Sequence, residues 1–370
     1  MTNTLNRQNK LDRRHFIKSL GAGILLSSMG QHGIALASSQ RKVGVALVGL
    51  GNYSETILAP ALQATKYCEL KGIVTGSPSK IPKWQKAYSI PDKNTYTYDN
   101  MHELANNPDI DVVYVVVPTS LHLKYAEIGA NAGKHVWCEK PMAMTVAQCQ
   151  QMINVCRKNK VQLTVGYRMQ HEPNTRKLNS YALEKKFGQT ESIITRAGYA
   201  GKGFPQDNWR MQKAMGGGAM YDMGVYPVNG ARFLSAMEPI AITATHDKSH
   251  PHIFKEVDET TNFTLEFPNG VTADCATSVV KNYNLARVKA SEGWYELEPM
   301  SNYSGVSGKT SDGEILTAIR GMQQSLQMDN DALAILGKGP ILVNGEEGLK
   351  DIHIVQAAFE SVAKNKRIVL

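Results

Sequence analysis

Residues 43–54 read Val-Gly-Val-Ala-Leu-Val-Gly-Leu-Gly-Asn-Tyr-Ser. The first six are apolar or glycine and leave no polar face, the pattern of a strand buried on both sides. Gly49-Leu50-Gly51 closes the strand, and helix-type sequence follows over 54–66. A strand that ends in glycines and re-emerges as a helix gathers backbone N–H groups at the positive end of a helix dipole, which suits a phosphate. The full dinucleotide fingerprint has a third glycine where this chain has Ser54, so the turn gains its meaning from context.

That context extends outward from the turn. Strand patterns recur over 69–75, 111–117, 134–138 and 162–166, with helices over 121–132 and 146–159 between them. Strands alternating with helices predict an α/β chain with an N-terminal Rossmann domain, a doubly wound parallel sheet, over 38–165. From about residue 189 the pattern changes. Strands over 190–197, 240–247, 260–267, 271–279 and 286–290 lie closer together, and Phe267-Pro268-Asn269-Gly270-Val271 reads as a hairpin turn. Helices are expected over 217–234, 323–337 and 348–364. Residues 166–370 therefore read as an α+β domain with a large, mostly antiparallel sheet, for substrate binding and oligomerisation.

The 370 residues are 42% hydrophobic and 20% charged, as in ordinary globular proteins. Half of the net charge of +8 lies in the first 37 residues. There Asp12-Arg13-Arg14-His15-Phe16-Ile17-Lys18 precedes a moderately apolar run and Ala35-Leu36-Ala37, the layout of a signal peptide of the twin-arginine type. Residues 1–37 are thus expected to direct export to the periplasm. No later run is long and apolar enough for a membrane span, and the remaining positive charge is scattered, which disfavours a nucleic-acid partner. Cys68, Cys138, Cys149, Cys156 and Cys275 form no CxxC pair and read as buried free thiols. His246, His250 and His252 lie in a polar turn without further ligands, and no metal is expected.

The end of the second strand bears on the cofactor. NAD sites carry a carboxylate there for the ribose hydroxyls. Here the segment is Val74-Thr75-Gly76-Ser77-Pro78-Ser79-Lys80, with hydroxyls and a cation but no carboxylate. Those groups suit a 2′-phosphate, so NADP is expected over NAD.

Three further segments carry the chemistry: Cys138-Glu139-Lys140-Pro141 at a strand end, Gly166-Tyr167-Arg168, and Gly216-Gly217-Gly218-Ala219-Met220-Tyr221-Asp222-Met223-Gly224-Val225-Tyr226. On a helix Asp222 and Tyr226 lie one turn apart on one face. A phenol titrates near pH 10 and becomes a useful base only beside a cation. Lys140 is the candidate cation, Tyr226 the candidate base for an alcohol proton, and Asp222 the group that orients with Lys140.

Taken in order, Gly49-Leu50-Gly51, Glu139-Lys140-Pro141, Gly166-Tyr167-Arg168, Gly216-Gly217-Gly218 with Asp222, Gly224 and Tyr226, and Gly345-Glu346-Glu347-Gly348 resemble the glucose–fructose oxidoreductase/inositol dehydrogenase (Gfo/Idh/MocA) family across the whole chain after residue 43. Val117-Pro118-Thr119-Ser120-Leu121-His122, Trp209-Arg210 and the export signal resemble its periplasmic, NADP-containing glucose–fructose oxidoreductase branch. The resemblance implies an oxidoreductase that moves hydride between a sugar, glucose-like with fructose as acceptor, and bound NADP. It implies an open-faced second sheet that makes homodimer or homotetramer contacts. It implies catalytic roles for Lys140, Asp222 and Tyr226. It also implies a cofactor surface of Gly49, Leu50, Gly51, Asn52, Tyr53, Thr75, Gly76, Ser77, Lys80, Pro118, Thr119, Leu121, His122, Glu139, Lys140, Arg168, Trp209 and Arg210, with His122 read equally well as a loop-capping histidine. Asn52 and Thr119 stand where that branch has lysine and asparagine, and the arm between Ala37 and the first strand is shorter than in that branch. Alternatives are an NAD(P)-dependent sugar dehydrogenase or reductase with exchangeable cofactor, a glycosidase acting through transient C3 oxidation with NAD, and a non-catalytic binding protein.

Overall fold

A computed structural model describes residues 41–370. The export signal expected over 1–37 lies outside the described residues. Six strands form the first sheet: β1 (Val43–Val48), β2 (Cys68–Thr75), β3 (Thr95–Thr97), β4 (Val112–Val115), β5 (His135–Cys138) and β6 (Leu163–Val165). Their order is β3-β2-β1-β4-β5-β6, and every pair is parallel. The order reverses between β1 and β4, so a crevice opens at the carboxyl ends of those two strands, where such sheets bind ligands.

Alternate residues of β1 face opposite sides. Val45 and Leu47 join a cluster with Leu58, Leu62, Trp84, Tyr114 and Trp137, whereas Ala46 and Val48 join one with Val113, Val136, Cys149 and Ile153. Helices cover both faces, which is why β1 and β4 contain no exposed residue. These are α1 (Ala59–Gln63), α2 (Ile81–Tyr88), α3 (His122–Asn131) and α4 (Val146–Lys158).

The second sheet has nine strands in the order β14-β13-β12-β11-β7-β10-β9-β8-β15. Its central strands are β7 (Thr190–Gly198), β8 (Ala241–Asp247), β9 (Thr260–Glu266), β10 (Thr272–Ser278) and β11 (Tyr283–Ala290). β12 (Gly293–Leu297), β13 (Gly308–Thr310), β14 (Ile315–Leu316) and β15 (Ile368–Val369) complete it. Only β7 and β10 pair in parallel. Buried and exposed residues alternate along β8 and β9 because helices cover one face and the other is open. The covering helices are α6 (Val225–Ser235), preceded by α5 (Pro173–Glu184), and α8 (Gly345–Lys364). The Thr195 hydroxyl on β7 donates to the Pro227 carbonyl at 2.9 Å, and the Tyr295 hydroxyl on β12 donates to the Leu234 carbonyl at 2.8 Å. These two bonds fix α6 on the sheet.

α5 and the strands after residue 290 go beyond the sequence-based expectation. The remaining helix, α7 (Gln323–Ile335), departs from the expected boundary at 165. Met328 and Ala332 on α7 pack into the β1 face of the first sheet, and the Asp329 carboxylate accepts from the backbone N–H groups of Lys66 and Tyr67 at 2.8 Å. The chain therefore returns to its first domain after building the second. All five cysteines are buried and free, as expected. Among the described residues no helix is long and apolar enough to cross a membrane, and no cluster of metal-ligating side chains occurs.

Candidate active site at the strand crevice

The glycine turn begins where β1 ends. Gly49 has φ +100°, a left-handed value that disfavours any side chain, and a Cβ there would lie 2.4 Å from the Val116 carbonyl oxygen. Gly51 faces open space, with no atom within 4 Å of its Cβ position. Ser54, where the fingerprint has its third glycine, is fully buried and donates to the Gly49 carbonyl at 2.6 Å. Its hydroxyl thus ties the turn to a five-residue π-helical turn, Ser54–Leu58, that opens the helix. A cradle with backbone close on one side and open on the other fits a dinucleotide pyrophosphate. Gly49→Ala should cost about 2–4 kcal/mol of unfolding free energy, from left-handed strain plus backbone overlap. Urea denaturation checks this, and a cost below about 0.5 kcal/mol would contradict the turn geometry.

At the end of β2, Thr75 is buried and its hydroxyl accepts from the Ser77 N–H at 3.0 Å. It shapes the turn rather than presenting its hydroxyl. Ser77 and Lys80 are exposed, and the Lys80 ammonium donates to the Leu50 carbonyl at 2.7 Å, beside the glycine turn. Gly76 lets the Tyr98 ring approach to 2.7 Å from where a Cβ would sit.

His122 takes the loop-capping of its two readings. It is buried, with Nδ1 2.9 Å from the Pro141 carbonyl and Nε2 2.8 Å from the Val117 carbonyl. Burial pushes its pKa down against the pull of these carbonyls. The ring N–H donates to one of these carbonyls and the other nitrogen lies against the second, so His122 packs between the loops after β4 and β5. In the β4 loop, Pro118 and Leu121 are partly exposed, whereas Thr119 is buried under Gly216, whose Cβ position lies 2.8 Å from Thr119 Cβ.

The charged centre lies at the end of β5. Glu139 is buried and accepts from the Tyr114 hydroxyl at 2.6 Å. Burial raises its pKa, with Tyr114 and Lys140 opposing. The Lys140 ammonium donates to the backbone carbonyl of Asp222 at 2.9 Å and stands 4.7 Å from the Tyr226 ring centroid. Burial disfavours that cation, but Tyr226 and Asp222 outweigh burial and its pKa is raised. Tyr226, on α6, is buried, and its hydroxyl accepts from Arg168 at 3.4 Å. Burial alone would raise the phenol's pKa, yet Arg168 and Lys140 together pull it below the usual tyrosine value. Arg168, in one of the segments expected to carry the chemistry and assigned to the cofactor surface, thus stands at the candidate base.

Asp222 differs from the simple i, i+4 picture. Met220–Gly224 is a π-helical turn, so the carboxylate rotates away from Lys140, which meets only the carbonyl. Asp222 Oδ2 lies 3.4 Å from Arg210 Nε and accepts from the Tyr199 hydroxyl at 3.3 Å. Arg210 stacks over Trp209 at 4.4 Å. A recess lined by Tyr199, Phe204, Arg210, Asp222 and Phe254 opens there.

Three residues that sequence reasoning missed complete the arrangement. Tyr303 is 48% exposed, and its ring lies 4.8 Å from the Arg168 guanidinium carbon and 5.8 Å from the ring of Tyr53. Tyr199 holds Asp222 as described. Asp258, buried on the segment before β9, caps the helix that carries Asp222 and Tyr226: its carbonyl accepts from Ala219 N at 3.0 Å and its Oδ2 from Met220 N at 2.8 Å. Gly218, at φ +97°, admits the carboxylate, since a Cβ would sit 2.1 Å from Asp258 Oδ1.

Comparison with known proteins agrees with this geometry. Residues 43–167 match the Gfo/Idh/MocA oxidoreductase family with NAD-binding Rossmann fold, and residues 175–296 match the C-terminal domain of the same family. The solved structure of an aldose–aldose oxidoreductase from Caulobacter crescentus, complexed with glycerol, is 34% identical, with a TM-score of 0.84 over 89% of this chain and 100% of that one. An NADP(+) D-xylose 1-dehydrogenase from Haloarcula marismortui is 29% identical over 88% of this chain and 92% of its own length. A scyllo-inositol dehydrogenase from Lactobacillus casei, 18% identical over 89% of this chain and 99% of its own with a TM-score of 0.73, shares the fold.

Proposed function

Since the chain belongs to the Gfo/Idh/MocA oxidoreductase family, we propose that it oxidises an aldose such as glucose and passes the hydride, through NADP, to a second sugar such as fructose or another aldose. One observation carries the reading: Lys140 and Arg168 converge on the buried Tyr226 phenol at the carboxyl end of a dinucleotide-type sheet. When bound, NADP supplies the hydride acceptor and, once reduced, the donor. The chain's own residues handle the proton. Tyr226 takes it from the sugar hydroxyl as the carbonyl forms and returns it in the reverse half-reaction. Lys140 and Arg168 stabilise the phenolate that this requires at neutral pH. Asp222, held by Arg210 and Tyr199, presents an acceptor for sugar hydroxyls in a recess with aromatic walls. Gly49, Gly51 and the helix they open would hold the pyrophosphate.

The preference for NADP over NAD rests on Ser77 and Lys80 beside the glycine turn and on the lack of a carboxylate at the end of β2. We place the protein in the periplasm on its paired arginines and Ala35-Leu36-Ala37, and read the open sheet as the face of a homodimer or homotetramer.

The test uses purified protein, first without added nucleotide and then with NADP or NAD. Aldose should produce the near-ultraviolet absorbance of reduced nicotinamide, and the second sugar should abolish it. NADP should bind more tightly than NAD by equilibrium titration. A clear NAD preference would overturn the cofactor assignment, and the absence of any sugar-dependent reduction would overturn the activity.

A further inference from the structure

α7 begins with three buried polar side chains that each reach a different part of the site. Gln324 donates to the Tyr53 hydroxyl at 3.2 Å, and Gln327 to the Tyr114 hydroxyl at 3.1 Å, which in turn holds Glu139. Gln323, 4% exposed, accepts from Arg168 Nη1 and donates to the Asn302 carbonyl at 2.9 Å. Arg168 Nη1 also donates to that carbonyl at 3.0 Å, so the three groups close a ring. Nη2 bonds to the Ser301 carbonyl and to Tyr226.

Arg168 is 2% exposed, and every one of these acceptors is uncharged. Among the described residues no carboxylate forms an ion pair with it. A buried guanidinium ordinarily meets a carboxylate. Glutamate has the shape of glutamine and would have served at 323, but it would have cancelled the charge one residue away from the phenol. We infer that Gln323 is a positioning residue for Tyr226: its uncharged amide fills the place beside Arg168 that a carboxylate would otherwise take, so no ion pair draws the charge of that guanidinium away from the phenol.

The charged and titratable groups acting on Tyr226 from its surroundings are Arg168 and Lys140, which favour phenolate, and Glu139, which opposes it. Tyr53 and Tyr303 share the field of Arg168. The Asp222 carboxylate is engaged by Arg210. Gln323 therefore acts through Arg168 alone, and its effect is one of charge.

The inference rests on Tyr226 being the proton acceptor, and its test separates the two. The phenol of Tyr226 is titrated by NMR in protein carrying 13C-labelled tyrosine, with its signal assigned by Tyr226→Phe. Gln323→Glu should move that titration to higher pH by about one unit or more, a tenfold loss of phenolate at a given pH. Gln323→Met, which removes the hydrogen bond without adding charge, should move it by less than about a third as much. Equal shifts in both variants, or none in Gln323→Glu, overturn the inference. Should Gln323→Glu fail to fold, Arg168→Met must produce the same upward shift, and an unmoved phenol overturns it. If Tyr226→Phe retains full turnover, the base assignment fails while the titration still reads the coupling.

Discussion

Tyr226→Phe should lower turnover by about 10²–10⁴-fold while leaving dinucleotide affinity within about threefold of the parent. The size is that of a positioned general base, and the substitution removes only the hydroxyl. The ring still fills its place under Arg168 and Lys140, so packing changes little. Steady-state rates together with equilibrium binding of NADP check the prediction. Turnover within tenfold of the parent would show that another group takes the proton. In the parent, activity should rise with pH through a value below the usual tyrosine range, because the working form is the phenolate and both neighbouring cations favour it.

Lys140→Met should have the second-largest effect. Two unit charges a few ångströms apart at a partly screened site interact by roughly 2–4 kcal/mol, which is more than one pH unit. Removing the ammonium 4.7 Å from the Tyr226 ring should therefore shift the rising limb of the rate profile to higher pH by one to two units. At neutral pH that is a loss of about 10–10²-fold, to which the lost anchor on the Asp222 carbonyl adds. The sign is decisive: a shift to lower pH, or a uniform loss at every pH, would mean that Lys140 does not act on the acidity of Tyr226. A partial return of rate at high pH is expected of Lys140→Met and not of Tyr226→Phe.

Much of the architecture was legible because it is written locally. The uniform burial of β1 and the glycines that follow it report a strand and a turn without reference to distant residues. The strands of the second sheet over 260–279 announce themselves through alternation and a hairpin. α5 was missed although its start carries a signal: Glu172 caps it by accepting from Thr175 N, and Pro173 occupies the first helical position. Its polar residues mask the helical period. β12 to β15 are short, and their pairing partners, not their composition, make them strands.

The site was legible in identity more than in direction. Sequence placed Lys140 and Tyr226 near one another, and they are. It had no means to choose between a cofactor-facing and a loop-capping His122, or to insert the π turn that swings the Asp222 carboxylate to Arg210. Asp258, Tyr303 and Gln323 meet the site across long chain separations, and nothing in their immediate neighbours marks them.

The cap on the helix of Tyr226 has a consequence for how the enzyme comes into being. Asp258 arrives from the segment that leads into β9, and Thr261, the second residue of that strand, donates to the same carboxylate at 2.7 Å. A growing chain that has reached residue 235 already contains Lys140, Arg168 and Tyr226, yet the first turn of the helix that carries Tyr226 has no terminus. The helix that carries the candidate base therefore depends for its first turn on a hairpin that takes no part in the chemistry.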